Sequence, residues 1–452
     1  MAIINYDSYL EPLILRLQKL IQIPSVYDDA SCSKKAPFGE KVLAALNYMQ
    51  EIANEDGLNC VNYDNYVLAI NYENKEERID VIGHLDVVEA GNGWLYDPFS
   101  GQIIDNKMYG RGSQDMKTAV MLTYTALKII NDYHLPCKRE LRIVLGTDEE
   151  RTMDDMKYYI HKAHEPTFAF TPDGMFPLSI GEKGALMWRL KGKVDTIIES
   201  LDAGVQCNVI APNAKAILKG THFVERLNEL IDIEKMNATV KVEGKQTIIE
   251  VIGKAAHASR PSDGHSATYD LLYLISQTTS DVIASNLYEV FHKHDGSGAN
   301  MKMSLEPMGE LTCNLGILRI VDGEVYGEVD ARYPYGISSE ELTTRLQQVC
   351  FVDVSLDYDA IPVLHDINNP FIQSLLKIYQ DHTGDYSEPF ISGGVTYSKV
   401  VNNCVAFGPG KFGMEILAHQ ANEYVLLDSL KELLILYTEA MLEIANICVE
   451  EK

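Results

Sequence analysis

Residues 78–88, Arg-Ile-Asp-Val-Ile-Gly-His-Leu-Asp-Val-Val, constrain the fold of this chain more than any other stretch. Their apolar, β-branched opening ends on a glycine, the pattern of a buried strand. His84 and Asp86 follow where that strand would emerge. Further on, Tyr109-Gly110-Arg111-Gly112-Ser113-Gln114-Asp115-Met116-Lys117 reads as a glycine-rich turn. It delivers Asp115 to the head of a helical pattern that starts at Thr118. A histidine so placed can give one ring nitrogen to a metal, while Asp86 is positioned to hold the other and fix the tautomer. Asp115 can offer one oxygen to each of two metals.

The rest of the first third repeats this logic. Helical patterns cover 7–23 and 39–55, strands 59–61 and 66–72. The helix over 118–132 leads to a strong strand at 141–145, and Gly146-Thr147-Asp148-Glu149-Glu150 follows. A helix over 153–162 precedes Phe168-Ala169-Phe170-Thr171-Pro172-Asp173. Apolar strands alternating with helices predict an α/β domain with a mostly parallel sheet covered by helices on both faces. Ligands of such sheets bind beyond the carboxyl ends of the strands, where His84, Asp115, Glu149, Glu150 and Asp173 all fall.

From about Gly184 the texture changes to alternating strands with helices between, at 221–232, 266–279 and 339–348. The β-α-β pattern occurs twice, around 184–240 and 247–360. This predicts an inserted α+β lid domain over 184–363, built as one antiparallel sheet or as two related halves. The first texture then returns, so residues 1–183 plus 364–452 form the other domain. Its last part carries a helix over 370–381, Ser392-Gly393-Gly394-Val395-Thr396-Tyr397, Ala418-His419-Gln420-Ala421-Asn422-Glu423, and a helix over 426–448.

At 452 residues the chain exceeds one ordinary core. Its net charge of −26 argues against nucleic acid, whose phosphates need Lys and Arg. No apolar run is long enough to span a membrane. The first twenty residues read as an amphipathic helix rather than a signal peptide. The eight scattered cysteines form no Cys-x-x-Cys pair, which with the rest predicts reduced thiols and a cytoplasmic location.

His84, Asp115, Glu150, Asp173 and His419 make a plausible two-metal site in which each metal takes one His and one carboxylate and Asp115 bridges. Mixed nitrogen and oxygen donors suit zinc first, with manganese or cobalt as substitutes. Two such ions activate a water and polarise a carbonyl. Glu149, beside a ligand but free of the metals, is the candidate base that takes the water's proton and returns it to the leaving amine.

His84-Leu85-Asp86, Gly110 to Lys117, Asp148-Glu149-Glu150 and Pro172-Asp173 are similar to the signatures of the M20 metallopeptidases. Gly91-x-Gly93-Trp94, Asp97-Pro98-Phe99 and His419-Gln420-x-Asn422-Glu423-Tyr424 resemble the bacterial PepV-type dipeptidases within that family. The resemblance implies His84 and Asp173 on one metal, Glu150 and His419 on the other, and a cis peptide at Asp115-Met116. It also implies that His257, in Gly253-Lys254-Ala255-Ala256-His257-Ala258, contacts the substrate carbonyl oxygen and stabilises the oxyanion. By the same resemblance Asn208, Arg332, Gly394 and Tyr397 bind substrate, and the fork of Arg332 suits a terminal carboxylate. Departures lie at Gln114, at Met116 to Thr118 and at Gly174 to Pro177, in the pocket wall. The expected protein is a monomeric metallo-dipeptidase acting on small peptides. The alternatives are an N-acyl amino acid deacylase or desuccinylase of the same family and a catalytically inactive binding protein.

Overall fold

The strand expected after residue 78 runs from Arg78 to His84 and lies inside a mixed sheet of the computed structural model, which describes residues 4–411 and 414–448. Glu140–Gly146 pairs with it in parallel on one side and Phe168–Thr171 on the other, and Cys404–Ala406 continues the parallel set. Val67–Tyr72 and Asn59–Tyr63 extend one edge antiparallel, and Ser179–Glu182 pairs antiparallel beyond Cys404–Ala406. The central strands are buried along nearly their whole length because both sheet faces are covered, which is why they lack polar alternation. Buried Asp80 and Glu140 are exceptions: the Asp80 carboxylate is met by Arg78 Nε at 3.1 Å and the Tyr159 hydroxyl at 2.9 Å, and Glu140 Oε1 by Arg142 Nε at 2.8 Å.

Helix Lys117–Asp132 organises one face of this sheet. Thirteen of its sixteen residues are buried, which identifies a central helix rather than an amphipathic surface one. It carries neither Gly nor Pro, and the hydroxyls of Thr123 and Thr125 return to the carbonyls of Ala119 and Met121 at 2.9 and 2.7 Å. Asp7–Ile21 and Leu430–Asn446 pack against it. Each fully buried Leu there contributes about 1.5–3 kcal/mol.

The chain divides into two compact units. The first comprises Met1–Gly181, Leu364–Phe390 and Thr396–Lys452, the second Glu182–Val363 with Ile391–Val395. The second unit holds one eight-stranded sheet, and every pairing in it is antiparallel. Ile198–Ala203 and Thr312–Val321 pair at its middle, so the two β-α-β runs share one continuous sheet. Trp188, fully buried, anchors the core and donates its indole N–H to Thr343 Oγ1 at 2.8 Å.

Three local differences from the sequence reading have physical causes. Ile391–Val395 belongs to the second unit: Ser392 O accepts the Lys183 N–H at 2.9 Å, and Gly393 O accepts Arg332 Nη1 at 3.2 Å. Helix Val282–Phe291 goes unpredicted, although Asp281 caps it through the Ala284 N–H at 2.9 Å and Ile283, Leu287 and Val290 form its buried stripe. The C-terminal helix starts at Leu430 because Tyr424–Leu426 is a strand paired with Lys107–Tyr109. None of the eight cysteines is in a disulfide, and no helix among the described residues is long and apolar enough to cross a membrane.

Candidate active site

His84 is the last residue of its strand, in register with Gly146 at the end of the neighbouring parallel strand. The two strands therefore end level, and the residues after Gly146 turn across the carboxyl end of the sheet. Gly146 cannot carry a side chain, since a Cβ would collide with the Tyr397 hydroxyl and the Asp155 carboxylate. Asp173 follows the third parallel strand. Asp115 comes from the turn before Lys117–Asp132, and its peptide bond to Met116 is cis. His419 arrives from a loop with a left-handed backbone, φ 64°.

These side chains converge within the first unit. His84 Nε2 lies 3.0 Å from Asp115 Oδ1 and 3.8 Å from Asp173 Oδ2. His419 Nε2 lies 3.1 Å from Asp115 Oδ2 and 3.0 Å from Glu150 Oε2. The two oxygens of Asp115 thus face different imidazoles. Donor atoms of His84, Glu149 and Asp173, and separately of His84, Asp115 and Glu150, fall within 4.8 Å of one another. Glu149 Oε2 is 4.0 Å from His84 Nε2, and its other carboxylate oxygen is buried without a hydrogen-bond partner.

Asp86 acts differently from expectation. His84 Nδ1–H donates to the backbone carbonyl of Asp86 at 2.9 Å, with the Asp86 carboxylate further off at 3.5 Å. That bond turns Nε2 toward the cluster, where its lone pair would serve a metal. The carboxylate instead accepts the backbone N–H groups of Glu149 and Glu150 at 3.2 and 3.1 Å. Asp86 therefore orients the turn that presents both glutamates.

Two further carboxylates hold turns of the site, and sequence reasoning passed over both. Asp155 accepts the backbone N–H groups of Thr147 and Asp148 and the Tyr397 hydroxyl. Glu423 accepts the N–H groups of Gln114 and Asp115 at 2.6 and 3.2 Å. The available signal for Glu423 was its place in the motif that carries His419, with an arginine set in the other glycine-rich turn. Lys117, also fully buried, donates to the carbonyls of Leu20 and Ile23 at 3.1 and 2.7 Å, pinning the Asp115 turn to the end of helix Asp7–Ile21.

Electrostatics follow from crowding acids in a dry place. Burial, then the neighbouring Asp173, Glu150 and Asp115, push the Glu149 pKa well above the ordinary carboxylate range. Burial and Asp115 raise Glu150 likewise. Burial would lower both histidines, but the facing carboxylates win, lifting His84 well above its usual value and His419 to about 11.

Not every residue expected at the site is placed for its expected task. Tyr397 is 1% exposed, and its hydroxyl donates to Asp155, which places it as a brace of the Thr147–Asp148 turn. In the second unit, Asn208 and His257 stand on adjacent segments: Val209 bridges His257, and Ala258 N–H donates to Asn208 O at 2.8 Å. The Ser259 N–H donates to His257 Nδ1 at 3.2 Å, which leaves the proton of this neutral imidazole on Nε2. Arg332 is 7% exposed, and its Nε and Nη2 fork onto Asp330 at 3.0 and 2.7 Å. Its remaining nitrogen, Nη1, donates to the Gly393 carbonyl at 3.2 Å. Gly394 N–H is engaged by Ser392 Oγ at 2.9 Å.

Residues 81–443 match the pattern of peptidase family M20/M25/M40. The chain belongs to this family. A protein of Staphylococcus haemolyticus, provisionally named a dipeptidase, is 32% identical over 466 residues, which cover 98% of each chain. A similarly named protein of Bacillus subtilis is 30% identical over 453 residues, 96% of this chain and 98% of the relative. Among solved structures, human carnosine dipeptidase 1 matches with a TM-score of 0.59 at 13% identity, covering 97% of each chain. The M20 family metallo-carboxypeptidase of Sulfolobus solfataricus matches with a TM-score of 0.58 at 17% identity, covering 96% of this chain and 99% of that one. At such identities the solved structures show a shared fold alone.

The M20 peptidase chain is thus an enzyme of the α/β class with a candidate metal-binding cluster at its sheet edge. The residues fit a divalent cation on the chemistry of the donors: imidazole nitrogens and carboxylate oxygens converge, and one buried Glu149 oxygen lacks any partner.

Proposed function

We propose that this chain is a metal-dependent dipeptidase. The observation that carries the reading is Asp115, whose two oxygens face two separate imidazole–carboxylate sets, with one Glu149 oxygen beside them lacking a hydrogen-bond partner. His84 and Asp173 would hold one divalent ion, Glu150 and His419 a second, and Asp115 both, with zinc the first candidate and manganese or cobalt next. Bound there, such ions polarise the scissile carbonyl and ease deprotonation of a water.

The chain's own residues supply the remainder. Glu149 accepts a proton from the water as its oxygen joins the carbonyl carbon, then returns it to the amine nitrogen as the C–N bond breaks. Burial favours protonated Glu149, which suits it to that return. His257 donates its Nε2–H to the developing oxyanion. Arg332 holds the carboxylate of the second residue through its Nη1 side, and Asn208 adds a polar contact. Those provisional names of the relatives support a dipeptide rather than a longer peptide.

The test compares kcat/KM for a dipeptide, its N-acetyl form and a matching tripeptide, with Zn²⁺ or Mn²⁺ added and after chelation. The dipeptide should be preferred and chelation should abolish turnover. An acetylated substrate cleaved as well or better would replace the dipeptidase reading with an N-acyl amino acid deacylase. No turnover of any substrate by the metal-loaded enzyme would leave a binding protein.

A further inference from the structure

The M20 resemblance leaves Arg111 and Glu423 without a role, yet they form a fully buried ion pair beneath the cluster, Glu423 with no exposed surface and Arg111 with 1%. Their charges meet at 2.6 Å between Arg111 Nη1 and Glu423 Oε2. Each partner also serves a different loop. Glu423 Oε1 takes the backbone N–H groups of Gln114 and Asp115, and Oε2 takes that of Gly112 at 3.2 Å. Arg111 Nη1 donates to the carbonyl of Gln420 at 3.2 Å, next to His419. Its Nη2 reaches the carbonyls of Glu89 and Ala90 at 3.4 and 3.3 Å, and the guanidinium lies 5.3 Å from the Trp94 ring centre.

We infer that Arg111 and Glu423 are a positioning pair that sets Asp115 against His419 for metal binding. The inference rests on the metal reading above. The two residues are 312 apart in sequence, and the turns they join carry the shared carboxylate and one of the imidazoles. The Asp115 carboxylate touches both imidazoles only because its backbone is held at this one depth. Sites of this kind tolerate displacements of about 0.5 Å. The carboxylate accepts three backbone N–H groups of one turn, a job no neutral side chain can do with the same two oxygens.

The experiment measures Zn²⁺ affinity by chelator competition, together with the thermal midpoint of the metal-free protein, for wild type and four variants. Glu423→Gln turns a donor toward Arg111 and the Gly112 N–H, and should weaken zinc binding about 10–100-fold. Arg111→Lys keeps the charge but loses the carbonyl contacts, and should weaken binding while folding normally. The double change Glu423→Gln with Arg111→Met removes both buried charges. It should regain thermal stability, because neutral replacements of a buried pair are tolerated, without regaining zinc affinity. Asp80→Asn breaks another buried ion pair four residues before His84, about 13 Å along the same strand, and should lower stability while leaving zinc affinity unchanged. Zinc affinity that recovers with stability in the double variant, or that falls equally in Asp80→Asn, would overturn the inference and leave the pair a structural support. If the single variants bind zinc as wild type does, the inference falls and the metal reading stands. Wild-type protein that takes up no zinc overturns both.

Discussion

Glutamates 149 and 150 are neighbours in sequence, share one turn held by Asp86, and should respond oppositely to the same substitution. In Glu149→Gln the backbone N–H that Asp86 accepts is untouched, so the turn keeps its shape. The side chain stays the same size at a position 8% exposed, and no hydrogen bond is lost at the oxygen that has none. What disappears is the base. Such a group accounts for about 10²–10⁴-fold in rate, or about 2.7–5.4 kcal/mol at 1.36 kcal/mol per decade. We therefore expect kcat on a dipeptide to fall about 1,000-fold, with metal content at the wild-type value. The metal-free variant should also melt no lower than wild type, because Gln has the shape of the neutral carboxylic acid that burial, Asp173, Glu150 and Asp115 favour there. Glu150→Gln removes instead a carboxylate whose two oxygens stand 3.2 and 3.0 Å from His419 Nε2. Its bound metal should drop by about one ion per chain, following the two-ion site proposed. The assay pairs steady-state kinetics with elemental analysis of desalted protein. Equal loss of metal in the two variants, or substantial turnover by Glu149→Gln, would refute the division of roles.

Chelation should abolish activity and lower the thermal midpoint, with Zn²⁺ or Mn²⁺ restoring both; full activity in EDTA would contradict the metal site. Tyr397→Phe should cost about 1–3 kcal/mol of stability by leaving buried Asp155 short of a donor, with KM unchanged, whereas exposed His257→Ala should lower kcat without moving the melting point. The reverse pattern would return Tyr397 to the substrate. Burial holds the His294 imidazole below its ordinary pKa, and its Nδ1 is buried without a partner. Because the unfolded chain then takes the proton first, stability should fall as pH drops below about 6.5. His294→Phe should flatten that part of an acid-unfolding curve, and an unchanged curve would exclude this histidine. Light scattering should give a monomer, since the second unit builds both β-α-β runs into one sheet of eight strands within the chain; activity that falls on dilution of a dimer would say otherwise.

Local pattern alone determined a good deal of this protein. A mainly apolar, β-branched run is buried between covered faces, so residues 79–83, Asp80 apart, announced an interior strand, and the charged residues at its exit and at 148–150 and 173 had to leave the sheet at one end. The change to alternating strands after Gly184 likewise marked a second unit, because a sheet with one covered face keeps polar residues on the other. Periodicity reports burial, however, and burial does not name partners. That His419 meets Glu150 across 269 residues, that Asp86 spends its carboxylate on two backbone amides, and that Tyr397 turns inward to Asp155 were decided only when the strands assembled. The same holds for Ile391–Val395, which joins the second unit through bonds to Lys183 and Arg332 that no local signal encodes. A buried donor must find an acceptor wherever the fold brings one within about 3 Å, and for Arg111 and Glu423 that acceptor and donor lay 312 residues apart.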